Sequence, residues 1–189
     1  PDDHNPERGK LRSCGKALKG VELKVIDDDG NDLETGEIGE VISRSKLNMK
    51  GYWNKPDATK ESIVDGWFYS GDAGFFDEEG FLFIHDRVKD MIVSGGENIY
   101  PAEVENALMS HDEILDAAVV GVPDEKWGES VKGFVVIAEN TSLSEDEIIS
   151  YTRTQIAAYK CPKSIEFIQE LPRNPSGKIL RRELRDPYW

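Results

Sequence analysis

The sequence lacks several features that would point to common classes of protein. No apolar run approaches the ~20 residues that a membrane-spanning helix needs. Cysteine is scarce, because only Cys14 and Cys161 occur among 189 residues and they lie far apart. Without a C-x-x-C pair, the sequence offers neither a zinc knuckle nor a dithiol redox motif. We expect two reduced thiols, which are typical of a cytoplasmic protein.

Positive charge is also scarce. The chain has 23 Lys and Arg residues against 37 Asp and Glu residues, which gives a formal net charge of -14. A nucleic-acid-binding protein gains affinity by placing Lys and Arg against phosphates, so this balance argues against that class. A local basic site that binds an anionic small molecule is compatible with the negative net charge. Basic residues cluster near the end of the chain, at Arg173, Lys178, Arg181, Arg182 and Arg185. A solvated basic helix is the alternative interpretation of that cluster.

The apolar residues that are present, 38% of the chain, suffice for one domain or two small ones. Up to residue 88 the pattern indicates β-structure. Val21, Leu23 and Val25 alternate with charged residues, and turns rich in Gly and Asp separate further short apolar segments. We therefore predict that residues 1–88 form a remnant of a β-barrel-like subdomain.

A charged cluster at residues 86–90 interrupts the apolar pattern, and we place a domain boundary and a hinge there. Residues 89–189 then form a second domain, for which the pattern predicts the order β-α-β-β-α-β. Its first helix begins at Pro101, a residue that suits the first turn. Its second helix begins at the capping box Ser144-x-x-Glu147 and runs to about Tyr159. The fold class expected for the whole chain is α+β.

Two polar residues of the first domain are candidates for ligand binding. Asp72 follows the apolar strand that begins at Trp67, and its carboxylate could accept both hydroxyls of a ribose. Gly71 would let such a ligand approach the backbone. Arg87, in the charged cluster, has a guanidinium that suits a ribose or phosphate oxygen. Taken singly, these residues are better explained by a common Gly-Asp turn and a surface ion-pair cluster.

A Gly-rich segment, Ser-Gly-Gly-Glu-Asn at residues 94–98, lies just before the Pro101 helix. Gly95 and Gly96 would let a backbone approach a ligand closely or line a narrow channel. The spacing is not the Gly-x-Gly-x-x-Gly of a dinucleotide-binding turn. A flexible loop that merely connects two elements is the alternative.

The segment Pro-Arg-Asn-Pro-Ser-Gly-Lys at residues 172–178 predicts a fixed turn that presents a single lysine. It is not a P-loop, because Ile179 stands where Ser or Thr would bind a metal ion. With an ordinary lysine pKa of about 10.4, Lys178 would be a cation that can stabilise negative charge on a phosphate. An exposed turn lysine without a function is the alternative.

The motifs occur together and in a fixed order, at residues 66–72, 86–90, 94–105, 119–128 and 172–178. In this combination the chain resembles the adenylate-forming superfamily of acyl-CoA synthetases, peptide-synthetase adenylation domains and luciferases. The resemblance extends from Gly15 to Arg185 and is to the C-terminal portion of an AMP-forming acyl-CoA synthetase. Residues 95–101 are more similar to fatty or aryl acid–CoA ligases than to peptide-synthetase domains.

The resemblance implies a role for each candidate residue. Asp72 would hold the ribose of AMP, and Arg87 would also contact the nucleotide. Lys89 stands at the hinge about which the small domain rotates. The Gly95-Gly96 loop would serve thioester formation beside the pantetheine channel. Lys178 is the lysine needed for adenylation and the best candidate for a catalytic residue.

The reaction that the resemblance implies has two steps. A carboxylic acid attacks ATP to give an acyl-adenylate and pyrophosphate, and a thiol, usually that of coenzyme A, then displaces AMP. The expected cofactors and substrates are therefore ATP or AMP, coenzyme A, a carboxylic acid from fatty acid metabolism or an aryl acid, and Mg²⁺ carried by ATP. No ligand for Mg²⁺ can be identified in the chain.

Two parts of the family pattern are missing, namely the Ser/Thr/Gly-rich phosphate loop and the segments that form the acyl pocket. The chain also begins without Met, so we expect a fragment that does not adenylate an acid by itself. Two other interpretations stay open: an adenylation domain that loads a carrier protein, and a non-catalytic fragment with a structural role only. Trp127 and Lys160 are further candidates for the coenzyme A path, with structural roles as the alternative.

Overall fold

A computed structural model describes residues 8–139 and 141–189, so the first seven residues of the predicted first domain lie outside the described part. The chain divides into two compact units, Pro1–Lys89 and Asp90–Trp189. This division lies within the charged cluster at residues 86–90. The hinge function of that cluster stays a prediction.

The first unit is built on a curled, five-stranded antiparallel sheet, a half barrel. Its elements are β1 (Glu22–Ile26), β2 (Gly39–Arg44), α1 (Pro56–Ser62), β3 (Ile63–Val64), β4 (Trp67–Phe76) and β5 (Leu82–Arg87). The strand order is β1-β2-β4-β3, and β5 also pairs with β4. Val25, Val41 and Leu82 form its buried apolar cluster. The expected β-barrel-like remnant is confirmed, whereas helix α1 was not predicted.

Strand β4 does not end before Asp72, as the sequence led us to expect, but continues to Phe76. The physical reason is a bulge. Glu40 of β2 pairs with Ala73, whereas Ile42 pairs with Tyr69, so β4 has extra residues between two paired segments. A bulge bends a strand and re-aims its side chains without ending the pairing. Asp72 therefore lies inside a strand, next to the bulge.

The second unit contains a five-stranded mixed sheet with helices on both faces. Its elements are β6 (Ile92–Ser94), β7 (Glu97–Ile99), α2 (Pro101–Met109), β8 (Ile114–Asp124), β9 (Gly128–Ile137), α3 (Glu145–Gln155), β10 (Ser164–Phe167) and α4 (Arg181–Arg185). The strand order is β10-β9-β6-β7, and β8 pairs with β9. This unit contains the predicted β-α-β-β-α-β order and adds β7 and α4, and the α+β class is confirmed.

Strands β8 and β9 are buried on both faces because alternate side chains enter two different apolar clusters. Val119 packs in the cluster that contains Leu108 of α2 and Ile148 of α3. Val120, the next residue, packs in the cluster that contains Leu184 of α4. The last helix is therefore part of the core, and of its basic residues Arg182 and Arg185 are exposed whereas Arg181 is mostly buried.

Helix α3 begins as predicted and ends earlier. The Ser144 hydroxyl accepts from the Glu147 amide, and the Glu147 carboxylate accepts from the Ser144 amide, which completes the capping box. The helix stops at Gln155, because Ile156 has extended backbone angles and packs against the core cluster. The expectation that the helix continues to Tyr159 was wrong; that residue lies in a separate 3-10 turn, Ala158–Lys160.

Candidate functional site

Asp72 and Arg87 lie opposite each other on the neighbouring strands β4 and β5. The Arg87 Nη1 atom lies 2.6 Å from Asp72 Oδ1 and 3.3 Å from the carbonyl oxygen of Ser70. Their side chains are 34% exposed for Asp72 and 50% exposed for Arg87. The carboxylate is thus oriented by a charge-assisted hydrogen bond while a ligand can still reach the pair.

The bulge beside Asp72 is fixed by hydrogen bonds. The Ser70 hydroxyl donates to the carbonyl of Val41 over 2.6 Å and accepts the Asp72 amide over 3.0 Å. The Gly71 amide donates to Glu40 Oε1 over 3.0 Å, and its φ of 70° requires a residue without a side chain. Glu40 was missed by sequence reasoning, because it lies on another strand and no local pattern connects it with this bulge.

Lys178 ends a tight turn that is held together by one amide side chain. Asn174 Oδ1 accepts the backbone amides of Ser176, over 3.0 Å, and of Lys178, over 2.9 Å. The backbone N–H of Asn174 in turn donates to the carbonyl of Lys178 over 2.9 Å, and Gly177 has a φ of 83°. The Lys178 side chain is exposed. Within the described part of the chain, its amine has no hydrogen-bond or ion-pair partner, so it is free to bind an anion.

Gly95 and Gly96 form the two-residue turn of a hairpin between β6 and β7, which corrects the expectation of a loop over residues 94–98. Their φ angles of 64° and 87° are those of a turn that matches strand twist. The Gly95 amide donates to the carbonyl of Trp127 over 2.8 Å. A Cβ atom at Gly95 would lie 2.7 Å from Trp127 Cε3, so the turn is packed against the indole ring.

Trp127 is itself presented by a turn that follows β8. Asp124 Oδ1 accepts the amides of Trp127 and Lys126 over 3.0 and 2.9 Å, and these two bonds lower the pKa of Asp124. The amines of Lys126 and Lys163 lie 4.4 and 5.3 Å from the centre of the indole ring. An aromatic ring flanked by two cations therefore lies beside Gly95.

Lys160, the other residue considered for the coenzyme A path, is bound to its own unit. Its amine lies 2.8 and 2.7 Å from the two carboxylate oxygens of Glu103 on α2. Both side chains are about three-quarters buried. This contact supports the structural alternative for Lys160.

Lys89 lies in a single 3-10 turn, Val88–Asp90, that follows β5. Its side chain is exposed. It is the last residue of the first unit, and Asp90 is the first residue of the second. The structure thus places Lys89 at the boundary between the units, and its role as a pivot stays a prediction.

The structure brings some of the predicted residues together and leaves others apart. Asp72 and Arg87 form one pair in the first unit, which the sequence did not predict as a contact. The Gly95-Gly96 turn and Lys178 both belong to the second unit. Over residues 90–139 and 141–189, no hydrogen bond or ion pair joins those two turns. Asn174 was present in the predicted turn, but its role in fixing Lys178 was not anticipated.

Within the described ranges, His, Cys, Asp and Glu side chains form no group of three that could hold a metal ion. Mg²⁺, which the resemblance implies only as a companion of ATP, thus finds no ready binding site among these residues. Among the described residues, no helix is long and apolar enough to cross a membrane.

Comparisons with known proteins agree with this geometry. A family model described as AMP-binding enzyme matches residues 2–53, and one described as AMP-binding enzyme C-terminal domain matches residues 103–178. Together the two matches span more than half of the chain. The fold and these matches place the chain in the class of adenylate-forming enzymes. The chain belongs to the AMP-binding enzyme family, of which it represents the C-terminal portion.

Individual relatives give the same result. The chain is 48% identical over 189 residues to the fatty acid–[acyl-carrier-protein] ligase ScoC of Streptomyces coeruleorubidus, covering all of this chain and 36% of ScoC. It is 46% identical over 179 residues to the long-chain-fatty-acid–CoA ligase FadD13 of Mycobacterium tuberculosis, covering 95% of this chain and 35% of FadD13. The chain therefore spans about a third of the length of these relatives.

A solved structure is similar in fold as well. The o-succinylbenzoate CoA synthetase MenE of Bacillus subtilis, in complex with its acyl-adenylate intermediate, superposes with a TM-score of 0.86 at 41% identity. The match covers 95% of this chain and 37% of MenE.

Proposed function

We propose that the chain is the C-terminal part of an ATP-dependent acid–CoA ligase. In the first half-reaction a carboxylate oxygen bonds to the α-phosphorus of ATP, the bond from that phosphorus to the bridging oxygen breaks, and pyrophosphate leaves. In the second, the sulfur of coenzyme A bonds to the acyl carbon, the bond from that carbon to the phosphate oxygen breaks, AMP leaves, and the thiol proton passes to solvent. The observation that carries the proposal is the exposed amine of Lys178, which has no partner among the described residues, on a hydrogen-bonded turn of a chain whose relatives are named as such ligases.

The Asp72–Arg87 pair supports the nucleotide part of the proposal. Arg87 binds Asp72 Oδ1, and over residues 8–139 and 141–189 no hydrogen bond or ion pair occupies Oδ2. A carboxylate oriented in this way can accept the hydroxyls of a ribose, as the resemblance implies for Asp72. The guanidinium of Arg87 is half exposed, so it can also donate to an oxygen of the nucleotide.

Lys178 is the residue that we assign to charge stabilisation in the first half-reaction. Negative charge develops on the phosphate oxygens as pyrophosphate leaves, and a fixed cation stabilises it. The backbone of Lys178 is held in the turn whereas its amine has no partner in the described part of the chain, which suits such a role. The chain alone lacks the phosphate loop expected of the family, so we propose that Lys178 acts only in the full-length ligase.

The Gly95-Gly96 turn and Lys89 are assigned to the second half-reaction. At Gly96, where a Cβ atom would meet nothing within 4 Å, the turn leaves room for the narrow pantetheine arm of coenzyme A. We propose rotation about Lys89 as the step that exchanges the Lys178 turn for the Gly95-Gly96 turn, because one site cannot easily serve pyrophosphate release and thiol attack at once. The position of Lys89 at the boundary between the two units supports this assignment.

ATP, a carboxylic acid and coenzyme A are the proposed substrates, with Mg²⁺ entering on ATP. The described residues provide no metal cluster, so we assign no step of the chain to the metal. The acid is of the fatty or aryl class, because ScoC and FadD13 are named as fatty acid ligases and MenE as an o-succinylbenzoate synthetase. A cytoplasmic location is part of the proposal, supported by the free thiols of Cys14 and Cys161.

Loading of an acyl-carrier protein is the second candidate function. It is favoured by one observation, the 48% identity with ScoC, which is named as an acyl-carrier-protein ligase. The two candidates share the first half-reaction and differ only in the thiol that accepts the acyl group.

The test uses the full-length ligase with Mg²⁺, ATP and either a long-chain fatty acid or o-succinylbenzoate. We expect pyrophosphate release that depends on the acid, and AMP release when coenzyme A is added. AMP release with an acyl-carrier protein bearing phosphopantetheine, and none with coenzyme A, would favour the second candidate. Absence of acid-dependent pyrophosphate release, together with no binding of AMP or coenzyme A in calorimetry, would leave only a structural role.

A further inference from the structure

Arg173 joins the Lys178 turn to the sheet of the second unit. Its Nη1 atom donates to the carbonyl oxygen of Gly177 over 2.7 Å. Its Nη2 atom lies 2.7 Å from Asp116 Oδ2 on strand β8. One planar guanidinium therefore bridges the peptide just before Lys178 and a carboxylate on strand β8, which a lysine could not do with the same fixed geometry.

The backbone of Lys178 is consequently held on every side. The carbonyl before it accepts from Arg173, and its own amide donates to Asn174 Oδ1 over 2.9 Å. The carbonyl of Lys178 accepts from the backbone N–H of Asn174 over 2.9 Å. The bonds to Asn174 are internal to the turn, so they fix its shape. The bond from Arg173 through Asp116 adds a polar link between the turn and strand β8, beside the apolar packing of Leu171 and Ile179 in the cluster that contains Val120.

Asp116 is suited to anchor this bridge. It lies in β8 where the pairing with β9 shifts by one residue, between Ile114 and Asp116. Its Oδ1 atom accepts the amide of Ala117 over 3.1 Å, which leaves Oδ2 for Arg173. The carboxylate is thus held by its own strand before it binds the guanidinium.

The bridge is not a major source of stability. The side chains are 41% exposed for Arg173 and 31% exposed for Asp116, and ion pairs of this kind contribute little to folding. The bridge thus contributes little to stability but fixes the peptide next to the proposed catalytic amine. These are the properties that we expect of a positioning residue.

We propose that Arg173 is a positioning residue for adenylation, which acts through the Gly177–Lys178 peptide and is anchored by Asp116. This inference rests on the proposed function and adds a role to it. Without the bridge, the turn keeps its internal bonds and Lys178 keeps its charge, but the amine is no longer aimed reproducibly. A misplacement of about 1 Å can lower the rate of a chemical step on the order of a hundredfold.

The experiment compares Arg173→Ala, Arg173→Lys and Asp116→Asn in the full-length ligase. Each variant is assayed for pyrophosphate release without an acceptor thiol, and separately for thioester formation from supplied acyl-adenylate and coenzyme A. We expect Arg173→Ala to lower kcat for pyrophosphate release about tenfold to a hundredfold. The KM for ATP and the thioester step should not change. Arg173→Lys and Asp116→Asn should have smaller effects in the same direction.

Two comparisons make the result specific. Asp116→Asn added to Arg173→Ala should cause no further loss, because the anchor has nothing left to hold. Arg182→Ala removes a nearby arginine that pairs with Asp186, the residue directly after α4. This variant should leave both half-reactions unchanged. Thermal unfolding of each variant should match that of the wild type.

Three outcomes overturn the inference: an unchanged pyrophosphate release in Arg173→Ala, an equal loss of both half-reactions, or fully additive losses in the double variant. Lys178→Ala in the same assay distinguishes a failure of the positioning role of Arg173 from a failure of the proposed function. If Lys178→Ala keeps full adenylation, the role of Lys178 itself is wrong. If Lys178→Ala loses adenylation while Arg173→Ala does not, only the positioning role fails.

Discussion

The Nη2 atom of Arg181 lies 2.9 and 2.8 Å from the two carboxylate oxygens of Glu105. Glu105 Oε1 also accepts the amide of Val119 over 2.9 Å, and Arg181 Nη1 lies 3.9 Å from Asp90 Oδ2. These contacts connect helix α2, strand β8, helix α4 and the first residue of the second unit. The ion pair therefore joins the segments that follow the Gly95-Gly96 turn and the Lys178 turn into one body.

Loss of the Glu105 carboxylate should destabilise this unit. The pair is mostly buried, with side-chain exposures of 14% for Glu105 and 22% for Arg181. Glu105→Ala leaves the guanidinium and the Val119 amide without their acceptor, which we expect to lower the free energy of unfolding by about 2–3 kcal/mol. Equilibrium urea unfolding of the chain measures this as a lower midpoint with an unchanged slope.

Arg182→Ala is the matched control for that measurement. It removes an ion pair to Asp186 whose side chains are 84% and 51% exposed. We expect a change within about 0.5 kcal/mol, as is usual for surface substitutions. A similar loss in both variants would show that burial of the Glu105 pair is not what matters.

Much of the fold could be predicted from the sequence because local signals and tertiary structure agree. The capping box at Ser144 and the proline at position 101 started helices where they were expected. The end of α3 could not be predicted in this way, because Ile156 leaves the helix to pack in a core that only the assembled unit provides. Helix α1 was missed for a different reason, since none of its residues is buried and it has no apolar face.

For the candidate site as well, local features could be predicted and contacts between distant segments could not. Residues in continuous motifs, such as Lys178 and the Gly95-Gly96 turn, could be identified from short patterns of Gly and Pro. Contacts between distant segments could not, and these include the pairing of Asp72 with Arg87 and of Arg173 with Asp116. The first pair depends on the register of β4 with β5, and the second on how the Lys178 turn packs beside β8, and neither leaves a local mark in the sequence.

Lys178→Ala in the full-length ligase should abolish adenylation and spare thioester formation. Loss of one fixed cation that faces developing charge typically lowers a rate on the order of a hundredfold to a thousandfold. Because the Lys178 side chain has no partner in the described part of the chain, its removal should not change stability. Acid-dependent pyrophosphate release measures the first half-reaction, and conversion of supplied acyl-adenylate measures the second. An equal loss in both would contradict the assignment.

Lys89→Pro should uncouple the two half-reactions. Proline fixes φ near -65° and removes the backbone N–H, so the 3-10 turn at the unit boundary would lose its freedom to rotate. We expect at least one of the two half-reactions, assayed alone, to be retained while overall turnover falls. Lys89→Ala, which removes the charge and keeps the rotatable backbone, is the control. Unchanged turnover in Lys89→Pro would count against this residue as the pivot.

Gly95→Ala and Gly96→Ala should differ in stability although the two glycines are neighbours in one turn. Both have positive φ angles, so any L-residue is strained by about 1–2 kcal/mol. At Gly96 a Cβ atom meets nothing within 4 Å, whereas at Gly95 it would lie 2.7 Å from the ring of Trp127. Gly95→Ala must therefore displace the indole in addition to straining the backbone.

Urea unfolding of four variants isolates that steric cost: Gly95→Ala, Gly96→Ala, Trp127→Ala and the double variant of Gly95 and Trp127. We expect Gly95→Ala to lower the free energy of unfolding by about 1 kcal/mol more than Gly96→Ala does. Removing the indole should cancel this difference, because backbone strain is then all that remains. A cycle of the wild type, Gly95→Ala, Trp127→Ala and their double variant reports the coupling directly. Equal losses at the two glycines would mean that the Trp127 ring moves aside without cost, and the packed turn would then have to be described as a mobile one.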